Sequence, residues 1–127
     1  MMRRKLKYGN SKITNSHGSF DSKWESQRYI QLILLERANL ISDLKRQEKI
    51  TLKVMGTEIK KYTSDFTYFE NDELIIEDAK SLPTSKSREW IITRKLLTAL
   101  GYTVRVSFKS QELITYIVKN NKQIILK

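Results

Sequence analysis

Two runs rich in β-branched and aromatic residues flank a short polar segment within residues 60–80. Such runs favour β-strands, and a polar segment of acidic and amide residues between them favours a tight turn. Asn71 and Asp72 both tolerate positive φ, which a two-residue hairpin turn requires. The pattern therefore predicts a β-hairpin that turns at Asn71-Asp72.

That turn fixes which side chains face each other across the hairpin. Asp65 is predicted directly opposite Asp78, and Asp78 shares a strand face with Lys80 because side chains alternate with period two. Glu77 points to the other face. Like charges opposite each other destabilise a strand pair, so folding alone does not explain the two aspartates. A divalent cation bound between them would explain the pairing.

A helix is predicted at residues 22–38. Ser22 and Glu25 fit the S-x-x-E capping box, and Asn39 is a plausible stop. Apolar residues at helical spacing predict the buried stripe, which is Ile30, Ile33, Leu34 and Ala38. Glu25, Tyr29, Leu32 and Glu36 form an adjacent stripe.

The remaining elements follow from the same periodicities and from turn residues. The second helix is expected to bury Ile92, Leu96, Ala99 and Leu100, with Gly101 at its C-terminal cap. The predicted elements after the first helix are a strand at 45–54, the hairpin, a helix at 86–100, a strand at 102–108, a helix at 111–120 and a short strand at 123–126. The order is α, β, β, β, α, β with a small αβ extension.

The composition limits the kinds of chemistry available. The chain has 127 residues, which indicates one domain, at 21–127, preceded by a flexible basic arm at 1–20. It has no cysteine and one histidine, which excludes thiol catalysis, zinc–thiolate sites and multi-histidine metal sites. No apolar stretch is long enough to cross a membrane, and no secretory signal follows the basic start, so a cytoplasmic protein is expected.

The net charge of +10 is unevenly distributed. The first twenty residues contain basic residues and no acid, and most acidic residues lie between residues 21 and 80. Clustered lysine and arginine bind polyanions with release of counterions. This distribution predicts a nucleic-acid partner, with Arg3, Arg4, Lys5, Lys7, Lys12, Lys86, Arg88, Arg94 and Lys95 as the candidate phosphate-binding residues.

Carboxylates and lysine are the reactive groups that remain. Hydrolysing a phosphodiester with them requires a hard cation, normally Mg²⁺, held by carboxylate oxygens, with Mn²⁺ able to substitute. Asp65 and Asp78 supply such ligands across one strand pair. Lys80 lies two residues further on the same face, where it can orient a water or stabilise developing negative charge.

Asp65, followed after twelve residues by Asp78-Ala79-Lys80, resembles the PD-(D/E)XK nuclease signature. Ser64 stands where that signature has proline, and Asp78 stands where glutamate is commoner. Over about residues 7–100 the chain also resembles a family of small phage-encoded proteins, catalogued as a domain of unknown function and thought to be Holliday-junction-resolvase-like. The segments that carry this second resemblance are Lys7-Tyr-Gly-Asn10, Phe20-Asp-Ser-Lys-Trp-Glu25, Ile41-Ser-Asp-Leu44, Ser64-Asp-Phe66 and Glu77-Asp-Ala-Lys80.

The resemblance implies a restriction-endonuclease-like αβββαβ core, with a mixed central sheet flanked by helices. It implies a Mg²⁺-dependent DNA endonuclease, selective for Holliday junctions or other branched DNA in phage recombination or replication. Glu25 matches the additional acidic ligand that many members place on the first helix, beside Asp65 and Asp78. A junction substrate implies a homodimer with two active sites, in the host cytoplasm for a phage-encoded protein.

Simpler interpretations stay open for each residue. The alternative for Glu25 is a role in the capping box alone, which excludes metal binding in the same rotamer. Asp65, Asp78 and Lys80 could be solvated strand residues, and Gln47 could lie at the site or on the surface. A catalytically inactive DNA-binding accessory protein of the same fold and an RNA-binding protein are the alternative functions.

Overall fold

A computed structural model of the chain describes residues 13–15, 18–119 and 122–126. The described residues form ten strands and three helices. In chain order these are β1 (Ile13–Asn15), β2 (Gly18–Phe20), α1 (Lys23–Arg37), β3 (Ser42–Arg46), β4 (Lys49–Val54), β5 (Thr57–Thr63), β6 (Phe66–Glu70), β7 (Glu73–Ala79), α2 (Leu82–Ser85), α3 (Arg88–Ala99), β8 (Thr103–Ser107), β9 (Leu113–Lys119) and β10 (Lys122–Leu126).

Local cap chemistry determines where the two long helices begin and end. Ser22 is the N-cap of α1, and its hydroxyl accepts a hydrogen bond from the amide of Glu25 at 3.1 Å. Asn39, at φ 62°, ends the same helix in the left-handed conformation. Gly101, at φ 97°, does the same after α3. The predicted starts and stops of the first helix are confirmed to within one residue.

The largest sheet has six strands in the order β10-β9-β8-β7-β6-β3. Only β7 and β8 pair in parallel, and every other neighbouring pair is antiparallel. Parallel neighbours require a crossover connection, which α2 and α3 provide here. The chain is therefore a mixed α/β protein with a mostly antiparallel sheet flanked by helices.

The β6–β7 hairpin has the predicted register. Phe66 pairs with Glu77 and Glu70 with Glu73, which leaves Asn71 and Asp72 as a two-residue turn. Their φ values are 51° and 63°, the pair of positive angles that a type I′ turn needs. The hairpin prediction is confirmed, and Asp65 lies immediately before β6, across from Asp78.

The predicted strand at 45–54 is wrong as a single element. It divides into β3 and β4 at Gln47, whose φ of 54° interrupts the extended backbone. Strand β3 joins the six-stranded sheet through β6, whereas β4 pairs with β5 in a separate two-stranded ribbon. The ribbon turns at Met55-Gly56, where both residues have positive φ.

The predicted C-terminal αβ extension is also wrong. Residues 113–119 form β9, which pairs with both β8 and β10. The segment Leu113-Ile-Thr-Tyr-Ile-Val118 is rich in β-branched residues, which lose rotamer freedom in a helix and pack well in a strand. The chain ends in an antiparallel hairpin that extends the sheet.

Two cores lie on opposite faces of the sheet. Under α1, Leu32 packs with Ile75 and their neighbours, whereas under α3 and the ribbon Leu97 packs with Ile76 and Leu52. The alternating side chains of β7 thus contribute to both cores.

The predicted core face of α1 is wrong, and that of α3 is confirmed only at Leu96, which is half-buried against the core. Ile30 and Leu34 are 42% and 58% exposed, and α1 instead buries Trp24, Glu25, Arg28 and Leu32. Ile92 is 59% exposed, and α3 buries Trp90, Thr93 and Leu97. The inward faces carry polar residues with specific partners, so hydrophobic period alone selects the wrong side.

The predicted basic arm at residues 1–20 lies mostly outside the described residues. Its last part, β2, belongs to the folded unit, because Phe20 is buried against Tyr29 with ring centroids 5.6 Å apart. The guanidinium of Arg46 stacks over the Phe20 ring at 3.8 Å.

Among the described residues, none of the helices has the length and apolar character that crossing a membrane requires.

Candidate functional site

The two aspartates of the hairpin hold each other's backbone in place. The amide of Asp65 donates to Oδ1 of Asp78 at 2.9 Å, and the amide of Ala79 donates to Oδ2 of Asp65 at 2.9 Å. Each carboxylate therefore commits one oxygen atom to the strand pair. Carboxylates accepting backbone N–H bonds are fixed in orientation, which a preorganised site requires.

Lys80 follows the end of β7 on the same face as Asp78, as predicted. Its Nζ lies 3.6 Å from Oδ2 of Asp78 and 4.4 Å above the centre of the Trp90 ring. Its backbone amide donates to the carbonyl of Ser107 on β8. The ammonium is thus positioned by one negative charge and one aromatic face.

Glu25 joins this group from the first turn of α1, where it is 2% exposed. Its Oε2 accepts from the amide of Asp21 at 2.8 Å, and its Oε1 accepts from Nε2 of Gln47 at 3.3 Å. The same carboxylate lies close enough to Asp65 for its negative charge to raise the pKa of Asp65. Glu25 accepts from the amide of Asp21, one residue before the N-cap Ser22, so the S-x-x-E pattern forms only the Ser22 half of a capping box.

A backbone hydrogen bond also connects Gln47 to the candidate site. Its amide donates to the carbonyl of Asp65 at 3.1 Å, so the residue that divides β3 from β4 is tied to the first aspartate. A non-glycine residue at positive φ is strained, and such strain often marks functional positions. These contacts place Gln47 next to Glu25 and Asp65.

The neighbouring carboxyls and burial perturb the proton equilibrium of Asp65. Burial, followed by the negative charges of Asp78 and Glu25, raises the pKa of Asp65 well above its usual range. Tyr62 lies buried beside Asp78, and burial together with that negative charge raises the pKa of Tyr62 far above its ordinary value. The Tyr62 hydroxyl has no conventional hydrogen-bond partner among the described residues.

A cleft of about 350 Å³ opens over this group. We call it the acidic cleft, and its charged lining residues are Asp21, Lys23, Glu25, Asp65, Lys80 and Lys109. Asp78 lies beneath, 3% exposed, between Lys80 and Tyr62. Lys23 and Lys109 were missed from the sequence, because nothing local distinguishes them from other exposed lysines.

Carboxylate oxygens are the ligands that hard cations prefer. The arrangement of these side chains in the structure, however, is not that of a formed metal site. Within the described residues, no group of three or more histidine or acidic side chains is disposed as a ready set of ligands for one metal ion. The predicted ligands Glu25, Asp65 and Asp78 are nevertheless neighbours in the fold, and Lys80 forms an ion pair with Asp78. Three neighbouring carboxyls with one ammonium leave negative charge that a divalent cation would neutralise.

The opposite face of β7 carries a buried ionic network. Glu77 is fully buried and accepts from Nε and Nη2 of Arg28 at 2.7 and 2.9 Å, and from the Tyr68 hydroxyl at 2.5 Å. Burial alone would lower the pKa of Arg28, but the hydrogen bonds and charge of Glu77 hold it above its ordinary value. As predicted, Glu77 does not join the aspartates. It ties β7 to α1.

A family model described as a protein of unknown function, DUF1064, matches residues 5–122. The chain belongs to this family. The match spans the hairpin, both long helices and all three carboxylates of the site. No curated protein matches the chain.

The candidate nucleic-acid-binding residues of this DUF1064 member fall into three groups. Lys86, Arg88 and Lys95 are exposed on or beside α3. Arg94 lies with its guanidinium 4.0 Å over the ring of Tyr116, so it packs against β9. The N-terminal candidates Arg3, Arg4, Lys5, Lys7 and Lys12 lie outside the described residues.

Proposed function

We propose that the chain is a divalent-metal-dependent endonuclease acting on DNA. The observation that carries the proposal is the juxtaposition of Asp65 and Asp78 across one strand pair, with Glu25 lining the same cleft as Asp65 and Lys80 ion-paired to Asp78. Buried like charges are costly, and such pairs concentrate at sites that bind metals or move protons. The net charge of +10 supplies attraction for a polyanion.

The order of elements supports a restriction-endonuclease-like core. With the β4–β5 ribbon set aside, the helices and strands around the site read α1, β3, β6, β7, α3 and β8. This is the αβββαβ order that the resemblance to PD-(D/E)XK nucleases implies. In the proposed assignment, Asp65 precedes the second strand of that core and Asp78 lies on the third.

The residues present fit a Mg²⁺ or Mn²⁺ ion by their chemistry. Asp65, Asp78 and Glu25 would hold the ion with carboxylate oxygens, the ligands that hard cations prefer. A bound ion would polarise a phosphoryl oxygen and lower the pKa of a coordinated water. The charge of such an ion would also favour the ionised form of Asp65, whose pKa is raised in its absence.

The protein side chains supply positioning and charge. Lys80, fixed between Asp78 and Trp90, would stabilise negative charge on the phosphate or orient the attacking water. Lys23 and Lys109 line the mouth of the acidic cleft, where they would draw a phosphate toward the aspartates. Gln47 would keep Glu25 turned toward Asp65.

A branched substrate, such as a four-way junction, is the expected target from the family resemblance. Cutting two strands of a junction requires two active sites, so we propose a homodimer. A protein acting on phage DNA in this way would work in the host cytoplasm.

A cleavage assay tests the proposed function. Purified protein is incubated with labelled duplex, flap and four-way-junction DNA in Mg²⁺, in Mn²⁺ and in EDTA. We expect cleavage of at least one substrate with either metal and none in EDTA, and loss of cleavage in Asp78→Ala and Asp65→Ala. Asp43→Ala removes an exposed aspartate of β3 and serves as the matched control. Cleavage by Asp78→Ala at the wild-type rate would refute the proposal.

One observation favours a second candidate function, a DNA-binding accessory protein without turnover. Asp65, Asp78 and Glu25 each accept a hydrogen bond from a backbone amide, a structural role that needs no metal. Such a protein would bind DNA with strong salt dependence and would bind no Mg²⁺ at the carboxylates. Metal titration therefore separates the two functions.

A further inference from the structure

A second cleft, of about 420 Å³, lies between the β4–β5 ribbon and α3. We call it the lysine cleft, and the residues that matter here are Lys60, Lys61, Thr63, Ser87, Glu89 and Thr93. Lys80 and Thr84 line both this cleft and the acidic cleft, so the two adjoin at the candidate catalytic lysine. None of the residues particular to the lysine cleft was predicted from the sequence to bind nucleic acid.

Hydrogen bonds within the protein hold the Lys60 ammonium of this cleft in place without a ligand. The Nζ of Lys60 donates to the Thr93 hydroxyl at 2.7 Å and to Oε1 of Glu89 at 3.1 Å, which holds a long flexible side chain against α3. Lys61 is exposed beside it. A lysine held in this way loses less side-chain entropy when it binds a ligand.

The lining has the chemistry of a phosphate-binding surface. Three lysines, Lys60, Lys61 and Lys80, face one acidic residue, Glu89, whose side chain is 83% exposed. Threonine and serine hydroxyls add neutral donors of the kind that contact sugar–phosphate backbones. The acidic cleft by comparison carries as many acids as lysines, Asp21, Glu25 and Asp65 against Lys23, Lys80 and Lys109.

We propose that the lysine cleft binds the sugar–phosphate backbone of a nucleic acid next to the phosphate in the acidic cleft, so that the strand passes over Lys80 between them. This inference rests on the proposed function, because it assigns the path of that substrate. It makes the β4–β5 ribbon a nucleic-acid-binding element, with Lys60 and Lys61 as binding residues and Glu89 as a restraint on Lys60.

The test measures binding and not cleavage. Anisotropy of a labelled four-way junction is recorded in EDTA at several salt concentrations for the full chain and for K60A/K61A. We expect roughly tenfold weaker binding and a salt slope shallower by about 1.8, which is about 0.9 for each lost phosphate contact. Glu89→Gln should tighten binding, because it removes the negative charge that repels phosphate while Thr93 still holds Lys60 in place.

The matched control removes the same charge elsewhere. K45A/K122A takes two exposed lysines from β3 and β10, the edge strands of the six-stranded sheet. It should change binding much less than K60A/K61A, and thermal melts should show that both variants fold. An unchanged salt slope in K60A/K61A, or an equal loss in the control, would overturn the inference and leave the proposed function standing. Normal binding by the wild type without cleavage would refute the nuclease and leave this inference standing.

Discussion

We expect the buried ion pair of Arg28 and Glu77 to stabilise the elements that carry the candidate site. Arg28 lies on α1, three residues after Glu25, and Glu77 precedes Asp78 on β7. Their side chains are 8% and 0% exposed, and they join through two hydrogen bonds of 2.7 and 2.9 Å. The pair fixes the helix that carries one site carboxylate against the strand that carries another.

Replacing Arg28 by methionine should be severely destabilising. The variant leaves the fully buried carboxylate of Glu77 with the Tyr68 hydroxyl alone, and removing one partner of a buried pair costs about 3–5 kcal/mol. A chain of 127 residues has a total stability of about 6–19 kcal/mol at roughly 0.05–0.15 kcal/mol per residue. The loss corresponds to a fall in Tm of about 12–20 °C, at about 4 °C per kcal/mol for this length.

Urea unfolding followed by tryptophan fluorescence and circular dichroism measures the effect. The double variant Arg28→Met with Glu77→Gln should recover at least half of the loss, because it no longer buries an unpaired charge. Lys45→Ala breaks an exposed pair with Asp43 and should change stability by less than about 1 kcal/mol. A loss below about 1 kcal/mol in Arg28→Met, or no recovery in the double variant, would refute the reasoning.

Three further predictions concern the site, the turn and the core. Asp65 has a raised pKa, so its stabilising contribution is fully present below the unfolded-state pKa of about 3.9 and is lost as pH rises through the folded-state pKa. Thermal melts in EDTA from pH 4 to 8 should show the stability of Asp65→Asn increasing relative to the wild type as pH rises. The opposite trend would contradict the direction of the pKa shift. Asp72→Gly, at φ 63°, should stabilise the hairpin by up to about 1 kcal/mol in urea unfolding, because glycine adopts positive φ without strain, whereas a clear loss would refute the type I′ turn. Leu97→Ala should cost about 2–5 kcal/mol in the same assay, since Leu97 is fully buried, and a cost under about 1 kcal/mol would place it outside the core.

The features that could be predicted from the sequence are those fixed by neighbouring residues. Asn71-Asp72 determines the β6–β7 register through local turn chemistry, and the register alone places Asp65 across from Asp78. Ser22 and Asn39 determine the ends of α1 in the same local way. The candidate site was accessible to sequence reasoning because two of its carboxylates lie on one hairpin.

The features that could not be predicted depend on partners distant in the chain. The inward face of α1 carries Arg28, whose partner Glu77 lies 49 residues away, so the apolar stripe at Ile30 and Leu34 indicated the wrong side. Lys60 is positioned by residues 29 and 33 places further on, which no local pattern reveals.

The central claim is that Glu25, Asp65 and Asp78 form a divalent-metal site, and calorimetric titration tests it most directly. Mn²⁺ is titrated into the wild type, Asp78→Asn and the exposed-surface control Asp43→Asn at neutral pH. We expect saturable binding by the wild type and by Asp43→Asn, and loss of that binding in Asp78→Asn. Absence of binding in the wild type, or equal binding by Asp78→Asn, would contradict it.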